Sequence, residues 1–392
     1  MRIAVSGLGV VSALGVGVER NFAALAAEQT GVSPAPSLLE TSHRLPVGEL
    51  QLTNEELHAL CGVPFREHLS RTALLGLLAV REAMKDARLP QGVRVGLVSA
   101  TSVGGMDLTE HFFRSFVEDD TTGRLRDVKM HDCAASTEVI AAHCGIEGYR
   151  TTISTACSSS ANAILLGMKL LRHHLLDAVV VGGTDALSAF TLNGFQSLMI
   201  LDSEPSRPFD ASRRGLNLGE GAGYVVLQRE GELSHEPYCY VAGAANSNDA
   251  HHQPASSEEG EGAYRAMLGA LQAGGVAPSE VDYINVHGTG TGNNDLSEGR
   301  AMCRLFGDEM PLFSSTKGYT GHTLAAAGGI EAVFSVLSIA RGAVYANLRF
   351  REPIPEHGLC PVAHHRTACD IRTVLSNSFG FGGNCSSVLF TK

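Results

Sequence analysis

The 392-residue sequence has no Cys-x-x-Cys pair and no regular spacing among its nine cysteines. That excludes a disulfide framework and the common zinc-site patterns, and a reducing cytoplasm suits nine unpaired thiols best. Lysine and arginine never gather into a run, and 30 basic residues against 41 acidic ones leave a net charge of −11, so nucleic acid is not an expected partner. Charge is sparse throughout, at 18% of residues against 44% hydrophobic ones, as in a large globular protein of one or two compact domains. No stretch reads as a membrane span, which needs ~20 apolar residues. Residues 3–18 are largely apolar and Ala24-Leu25-Ala26 imitates a cleavage site, yet Gly7, Gly9, Gly15 and Gly17 interrupt the run. Residues 3–6 therefore read as a core strand followed by a glycine turn, not as a signal peptide.

What the chain does have is one cysteine and two histidines placed in small-residue turns: Ser154-Thr155-Ala156-Cys157-Ser158-Ser159-Ser160, Val286-His287-Gly288-Thr289-Gly290-Thr291, and Ser315-Thr316-Lys317 followed by Gly321-His322-Thr323. Residues 150–155 are rich in β-branched side chains and read as a strand. From Ala161 onward Ile164, Leu165, Met168, Leu171 and Leu175 recur at helical intervals, which puts Cys157 at or near a first helical turn. Free N–H groups there favour an anion, and the three serines are suited to capping them without blocking access. A thiolate so placed beside imidazoles is a good nucleophile, which points to acyl transfer through cysteine.

Two parts of the chain share an order of elements. A helical run over residues 70–87 leads to a strand at 95–99 and the turn at 101–105; another at 262–273 leads to a strand at 281–286 and the His287 turn. Residues 151–182 then match 313–346 as turn, helix and apolar segment. This weak pseudo-repeat of about half the chain implies two similar halves, 1–235 and 236–392, with parallel or mixed sheets covered by helices. The polar stretch 230–237 marks the join.

With the segments TACSSS, VHGTGT, STKGYTGHTLAAAGGIEA and NSFGFGG in this order, the chain resembles β-ketoacyl-acyl carrier protein synthases of the elongating, Cys-His-His kind. The resemblance implies a thiolase-like α/β fold whose two pseudo-repeated halves form a layered α-β-α-β-α core. It implies decarboxylative condensation of an acyl group loaded on Cys157 with malonyl-acyl carrier protein, with His287 and His322 holding the malonyl thioester oxygen. No metal or redox cofactor is implied. Lys317 and Glu331 match the family's pair near the second histidine. Backbone N–H groups of Cys157 and Phe381 would surround an oxyanion, with Phe381 as a gate flanked by Gly380 and Gly382. Thr289 and Thr291 sit where hydroxyls contact the pantetheine arm, and Val103 and Phe195 match acyl-tunnel positions. Asp295 follows His287 at the family spacing and could equally cap the helix that begins near it.

Several positions depart from the pattern. Asn384-Cys385 stands where Thr-Asn is frequent, which puts the hydrogen bonds of that asparagine in doubt. Val103 replaces a common isoleucine, a hint of longer or unusual chains, and Met199 replaces a frequent basic residue. Arg66, Arg71, Arg207, Arg213 and Arg214 are docking candidates for an acidic carrier by chain position. The length and the lack of an attached carrier domain suit a free-standing enzyme, as a homodimer or as a heterodimer with a chain-length-factor-like subunit. A thiolase-like degradative enzyme and a non-catalytic partner subunit remain the alternatives, and fatty-acid and polyketide or polyene synthesis stay unseparated.

Overall fold

The computed structural model describes residues 2–65, 68–253 and 255–392; the docking candidate Arg66 lies outside them. Ten strands run through one sheet: β1 (Ile3–Ser12), β2 (Val95–Ala100), β3 (Arg150–Ile153), β4 (Ala178–Asp185), β5 (Gly221–Arg229), β6 (Cys239–Asn248), β7 (Tyr283–Asn285), β8 (Leu312–Ser314), β9 (Thr373–Phe379) and β10 (Asn384–Thr391). The two-residue strand Gly15–Val16 pairs only with β1. The N-terminal five are ordered β1-β5-β4-β2-β3, the C-terminal five β6-β10-β9-β7-β8, and the two sets join where β1 pairs antiparallel with β6. In each set the first two pairings are antiparallel and the last two parallel. The expected pseudo-repeat is therefore a repeat of sheet topology, and the structural counterpart of β4 is β9, about thirty residues beyond the apolar segment that ends at 346.

Strand period sorts the side chains into layers. On β5, Ala222, Tyr224 and Val226 join an apolar cluster with helix α1 (Arg71–Ala87), while Val225 and Leu227 face helices α2 (Ser159–Arg172) and α5 (Ala327–Arg341). On β10, Val388 and Phe390 face the same central helices, while Cys385 and Leu389 pack with α3 (Glu261–Gly274) and α4 (Gly292–Phe306). The central pair thus lies between the two halves of the sheet, giving helix-sheet-helix-sheet-helix layering.

Two expectations need correction. Gly7 and Gly9 lie inside β1 rather than in a turn, and their small size serves packing: a Cβ on Gly9 would sit 1.9 Å from the Ala79 carbonyl oxygen of α1. The segment Leu324–Arg341 is long and apolar enough by composition to cross a membrane, contrary to the sequence reading, but 89% of it is buried in the protein. It is the inner helix α5 with its leading turn, and such a helix is apolar all round for that reason.

Candidate active site

Cys157 stands in the tight turn between β3 and α2. The turn needs Ala156 in the left-handed region (φ +52°), a conformation costing about 1–2 kcal/mol for a residue with a Cβ, and it presents the thiol while keeping Cys157 6% exposed. The serines do not cap the helix as expected. Ser159 Oγ accepts from Thr155 N (2.7 Å) and donates to Ala156 O (2.5 Å), closing the turn from within. Ser160 donates to Ala325 O beside the second histidine, and Ser158 Oγ lies 2.7 Å from both Thr155 O and Asn384 Oδ1.

His287 follows β7, and two acidic side chains of α4 reach back to its turn. Glu298 accepts from His287 N and Gly288 N, each at 2.9 Å, and from Asn377 Nδ2 at 3.1 Å. Asp295 accepts from Thr289 N at 3.0 Å, from Gly290 N, and from Phe209 N at 2.7 Å. Both acids are fully buried. Asp295 is thus no helix cap; Thr291 caps α4 through Asn294 N. Burial pushes the Glu298 carboxyl up to about 7 against the pull of those N–H donors.

His322 is stitched to the strand Leu218–Gly219: its N–H donates to Asn217 O (2.7 Å) and its carbonyl accepts from Gly219 N (2.9 Å). Its Nδ1 accepts from Leu324 N at 3.0 Å. Lys317 is buried, and its Nζ donates to the Glu331 carboxylate, to His287 O (2.6 Å) and to His287 Nδ1 (3.2 Å). Three acceptors use the three donors of an ammonium. Both imidazoles therefore hold a lone pair at Nδ1 and a proton at Nε2.

The sulfur and the ring nitrogens of Cys157, His287 and His322 lie within 4.8 Å of one another, a span that one thioester carbonyl or, by distance alone, one metal ion could fill. The two rings meet edge to face, centroids 5.4 Å apart. Burial, with Lys317 nearby, lowers the His322 pKa to about 3 and drives His287 well below its ordinary value, so both rings are neutral. Burial also pushes the Cys157 thiol up to about 12, with Lys317 pulling the other way. The site accordingly holds a thiol between neutral imidazoles, not the expected thiolate. It is a set of hydrogen-bond donors around a nucleophile, screened from water.

A cavity of about 270 Å³ leads to these groups, and its lining includes Cys157, His287, His322, Phe195, Thr289, Thr291, Gly380 and Phe381. Phe195 and Phe381 stack at 5.6 Å across it. Val103 does not line it; it packs with Phe195 on an apolar cluster of Leu187, Leu192 and Leu216. Gly382 sits at φ +79° in the loop behind Phe381. Met199, 86% exposed, and Leu198 form the cavity's apolar rim.

The sequence matches the family descriptions "Beta-ketoacyl synthase, N-terminal domain" over residues 1–232 and "Beta-ketoacyl synthase, C-terminal domain" over residues 238–351. The chain belongs to the β-ketoacyl synthase family. It is 31% identical to a 3-oxoacyl-[acyl-carrier-protein] synthase 2 of Staphylococcus aureus, with 100% of this chain and 98% of the relative covered. Among solved structures it is similar to the ishigamide ketosynthase/chain length factor (TM-score 0.93, 27% identity, covering 100% and 99% of the two chains). It is also similar to a chain of the structure of the ketosynthase ApeO in complex with its chain length factor ApeC from Xenorhabdus doucetiae (TM-score 0.87, 31% identity, covering 100% and 98%). This β-ketoacyl synthase is a condensing acyltransferase with the thiolase-like fold.

Sequence reasoning missed Glu298 and its partner Asn377. The signal was present: side chains in the first turns of a helix lean toward its N-terminus, so acids at positions 295 and 298 had to meet the N–H groups of the preceding glycine turn. Arg71, offered for carrier docking, is instead buried against Glu220 at 2.6 Å and donates to Leu50 O and Leu52 O. Arg207 and Arg214 pair with Asp202 and Glu204, and Arg213 donates to Thr291 O and Gly292 O at the cavity mouth.

Proposed function

We propose that Cys157 takes an acyl group from an acyl carrier protein and that His287 and His322 drive its condensation with a malonyl group. Sulfur attacks the acyl carbonyl, the backbone N–H groups of Cys157 and Phe381 hold the oxyanion, and the carrier thiol departs with the proton released from sulfur. Malonyl-carrier protein then enters past Thr289 and Thr291. Its carboxylate leaves as carbon dioxide, the C–C electron pair moves onto the thioester oxygen, and the two Nε2–H groups stabilise that enolate. The enolate carbon attacks the Cys157 thioester, expelling the sulfur as a thiolate that takes a proton from solvent to restore the thiol, and giving β-ketoacyl-carrier protein. The observation that carries this reading is the fixed tautomer: Lys317 on one ring and Leu324 N on the other leave both Nε2–H donors for an oxygen. Lys317 and Glu331 act as positioning residues, and Phe381, between Gly380 and Gly382, acts as the gate against Phe195.

Cys385 supports this over a thiolase-like degradative reaction, because it packs in the apolar cluster of α3 and α4 and, unlike Cys157, does not line the cavity. We read the protein as cytoplasmic, from nine cysteines that are all free. The two halves 1–235 and 236–392 would act as one unit around the site. A dimer, homomeric or with a chain-length-factor-like subunit, is favoured by the edge strand β3 and by exposed Phe113 (61%) and Phe190 (57%) beside an apolar groove. The test is intact-protein mass with acyl-carrier proteins of varied chain length, using Cys157→Ala as control. Acylation of the wild type alone, discharged by malonyl-carrier protein as a β-ketoacyl product, supports the reading; no acyl mass from any donor on folded protein refutes it in favour of a non-catalytic subunit.

A further inference from the structure

We propose that Asn384 is a positioning residue that latches the Phe381 loop onto the Cys157 turn and so sets the spacing of the two backbone N–H groups around an oxyanion. The proposal deepens the condensing reading and rests on its assignment of those N–H groups. Asn384 opens β10 three residues after Phe381. Its Oδ1 accepts from Asn246 Nδ2 of β6 at 2.7 Å and from Asn162 Nδ2 of α2 at 3.1 Å. Ser158 Oγ, beside the nucleophile, lies 2.7 Å from the same oxygen. The donors are themselves tied together: Asn162 Nδ2 also reaches Thr155 Oγ1 (2.9 Å), Ser386 Oγ donates to Asn162 Oδ1 (2.8 Å), and Asn246 Nδ2 reaches Ser386 Oγ (2.8 Å).

The loop's other tethers pull elsewhere. Gly382 N donates to Gln253 O (2.7 Å), Asn248 Nδ2 to Gly382 O (3.0 Å), and Asp249 N to Gly383 O (2.8 Å), all to residues 248–253 and none to the Cys157 turn. Gly380 meets the Cys157 turn by contact alone, with room for a Cβ only at 3.0 Å from Thr155 O and 3.1 Å from Cys157 N, while its N–H donates to Asn384 O at 2.8 Å. Among the described residues, the hydrogen bonds that run from the loop to the Cys157 turn are those of Asn384. An amide oxygen carries no hydrogen and can gather several donors, whereas a threonine hydroxyl, frequent at this position in the family, is shorter and itself a donor. The departure at Asn384 thus adds a bond to the nucleophile turn that the common residue is ill suited to make.

The test compares two reactions of Cys157 that need no carrier protein, on the full chain. Acylation by p-nitrophenyl butyrate passes through a tetrahedral oxyanion, with p-nitrophenolate leaving; alkylation by iodoacetamide is displacement at a saturated carbon and forms none. Asn384→Leu keeps the branched shape and removes the acceptor, and is expected to lower the acylation-to-alkylation rate ratio about tenfold, less than the ~10²–10³ that loss of a whole oxyanion donor costs. Asn384→Asp restores an acceptor oxygen and should return the ratio to within threefold of wild type. Should Asn384→Leu not fold, Asn246→Ala removes one arm of the latch and is expected to lower the ratio about threefold. A ratio within twofold of wild type in the folded variants overturns the latch. Because neither probe involves a carrier, failure of wild-type condensation would refute the condensing reading separately.

Discussion

Replacing Glu298 by glutamine tests how the His287 turn is held. The carboxylate offers two oxygens to three N–H donors at 2.9, 2.9 and 3.1 Å. An amide of the same shape keeps one oxygen and turns the other acceptor into an NH₂ that confronts a backbone N–H. Leaving one buried donor without a partner costs about 1–3 kcal/mol. With a melting entropy of about 0.8 kcal/mol per kelvin for a chain of this length, the melting temperature should fall by about 1–4 °C. The imidazole would shift with its backbone, and a displaced donor should slow malonyl-thioester decarboxylation by about 10- to 100-fold. Alkylation of Cys157 by iodoacetamide should stay within twofold, because the thiol is held by a different turn. Carbon dioxide release, differential scanning fluorimetry and alkylation rates on the same preparation give the three numbers. Lowered melting with undiminished decarboxylation would show that Glu298 supports the fold without aiming His287, and no change in either would remove the hydrogen bonds from the account.

Lys317→Met leaves the Glu331 carboxylate buried without its partner and should destabilise the protein by about 3–5 kcal/mol, with Lys317→Met/Glu331→Gln recovering most of the stability but little decarboxylation; equal recovery of both would refute the tautomer argument. Gly380→Ala pushes a Cβ against Thr155 O and Cys157 N, and should cut acyl transfer about tenfold at a stability cost near 1 kcal/mol, read by single-turnover acylation and denaturant unfolding. The folded His322 ring gains its proton only near pH 3 while the unfolded ring gains it near 6.5, so its contribution, roughly 4–5 kcal/mol at neutral pH, is lost as pH falls through that window. The Glu298 and Glu331 carboxyls, raised by burial to about 7, act in the opposite sense between 4.5 and 7, and the net loss of stability should therefore steepen below about pH 4.5. Denaturant midpoints at pH 7.5, 5.5 and 4 check this, and a decarboxylation profile with a limb near 6.5 would contradict the neutral, deeply buried imidazoles.

The chemistry-bearing residues were legible in the chain because glycine- and serine-rich turns around one cysteine and two histidines are local patterns, and the repeat of helix, strand and turn announced two similar halves. Other features depended on partners distant in sequence. The strand Ile3–Ser12 continues through Gly7 and Gly9, with a register shift between Val5 and Gly7, packed against α1 from seventy residues away, and Leu324–Arg341 is apolar because the two halves of the sheet enclose it. Arg71 looks like a surface cation until Glu220 meets it in the interior. The protonation states were likewise out of reach, since burial and the neighbouring Lys317 make the imidazoles neutral, and burial against the pull of Lys317 makes the thiol reluctant to ionise. The sequence by itself determined the candidate reacting groups and the repeated architecture; only the tertiary structure decided their tautomers, their charges and the proposed latch between Asn384 and the Cys157 turn. Those depend on desolvation and on hydrogen bonds between segments that meet only when the two halves close on one another.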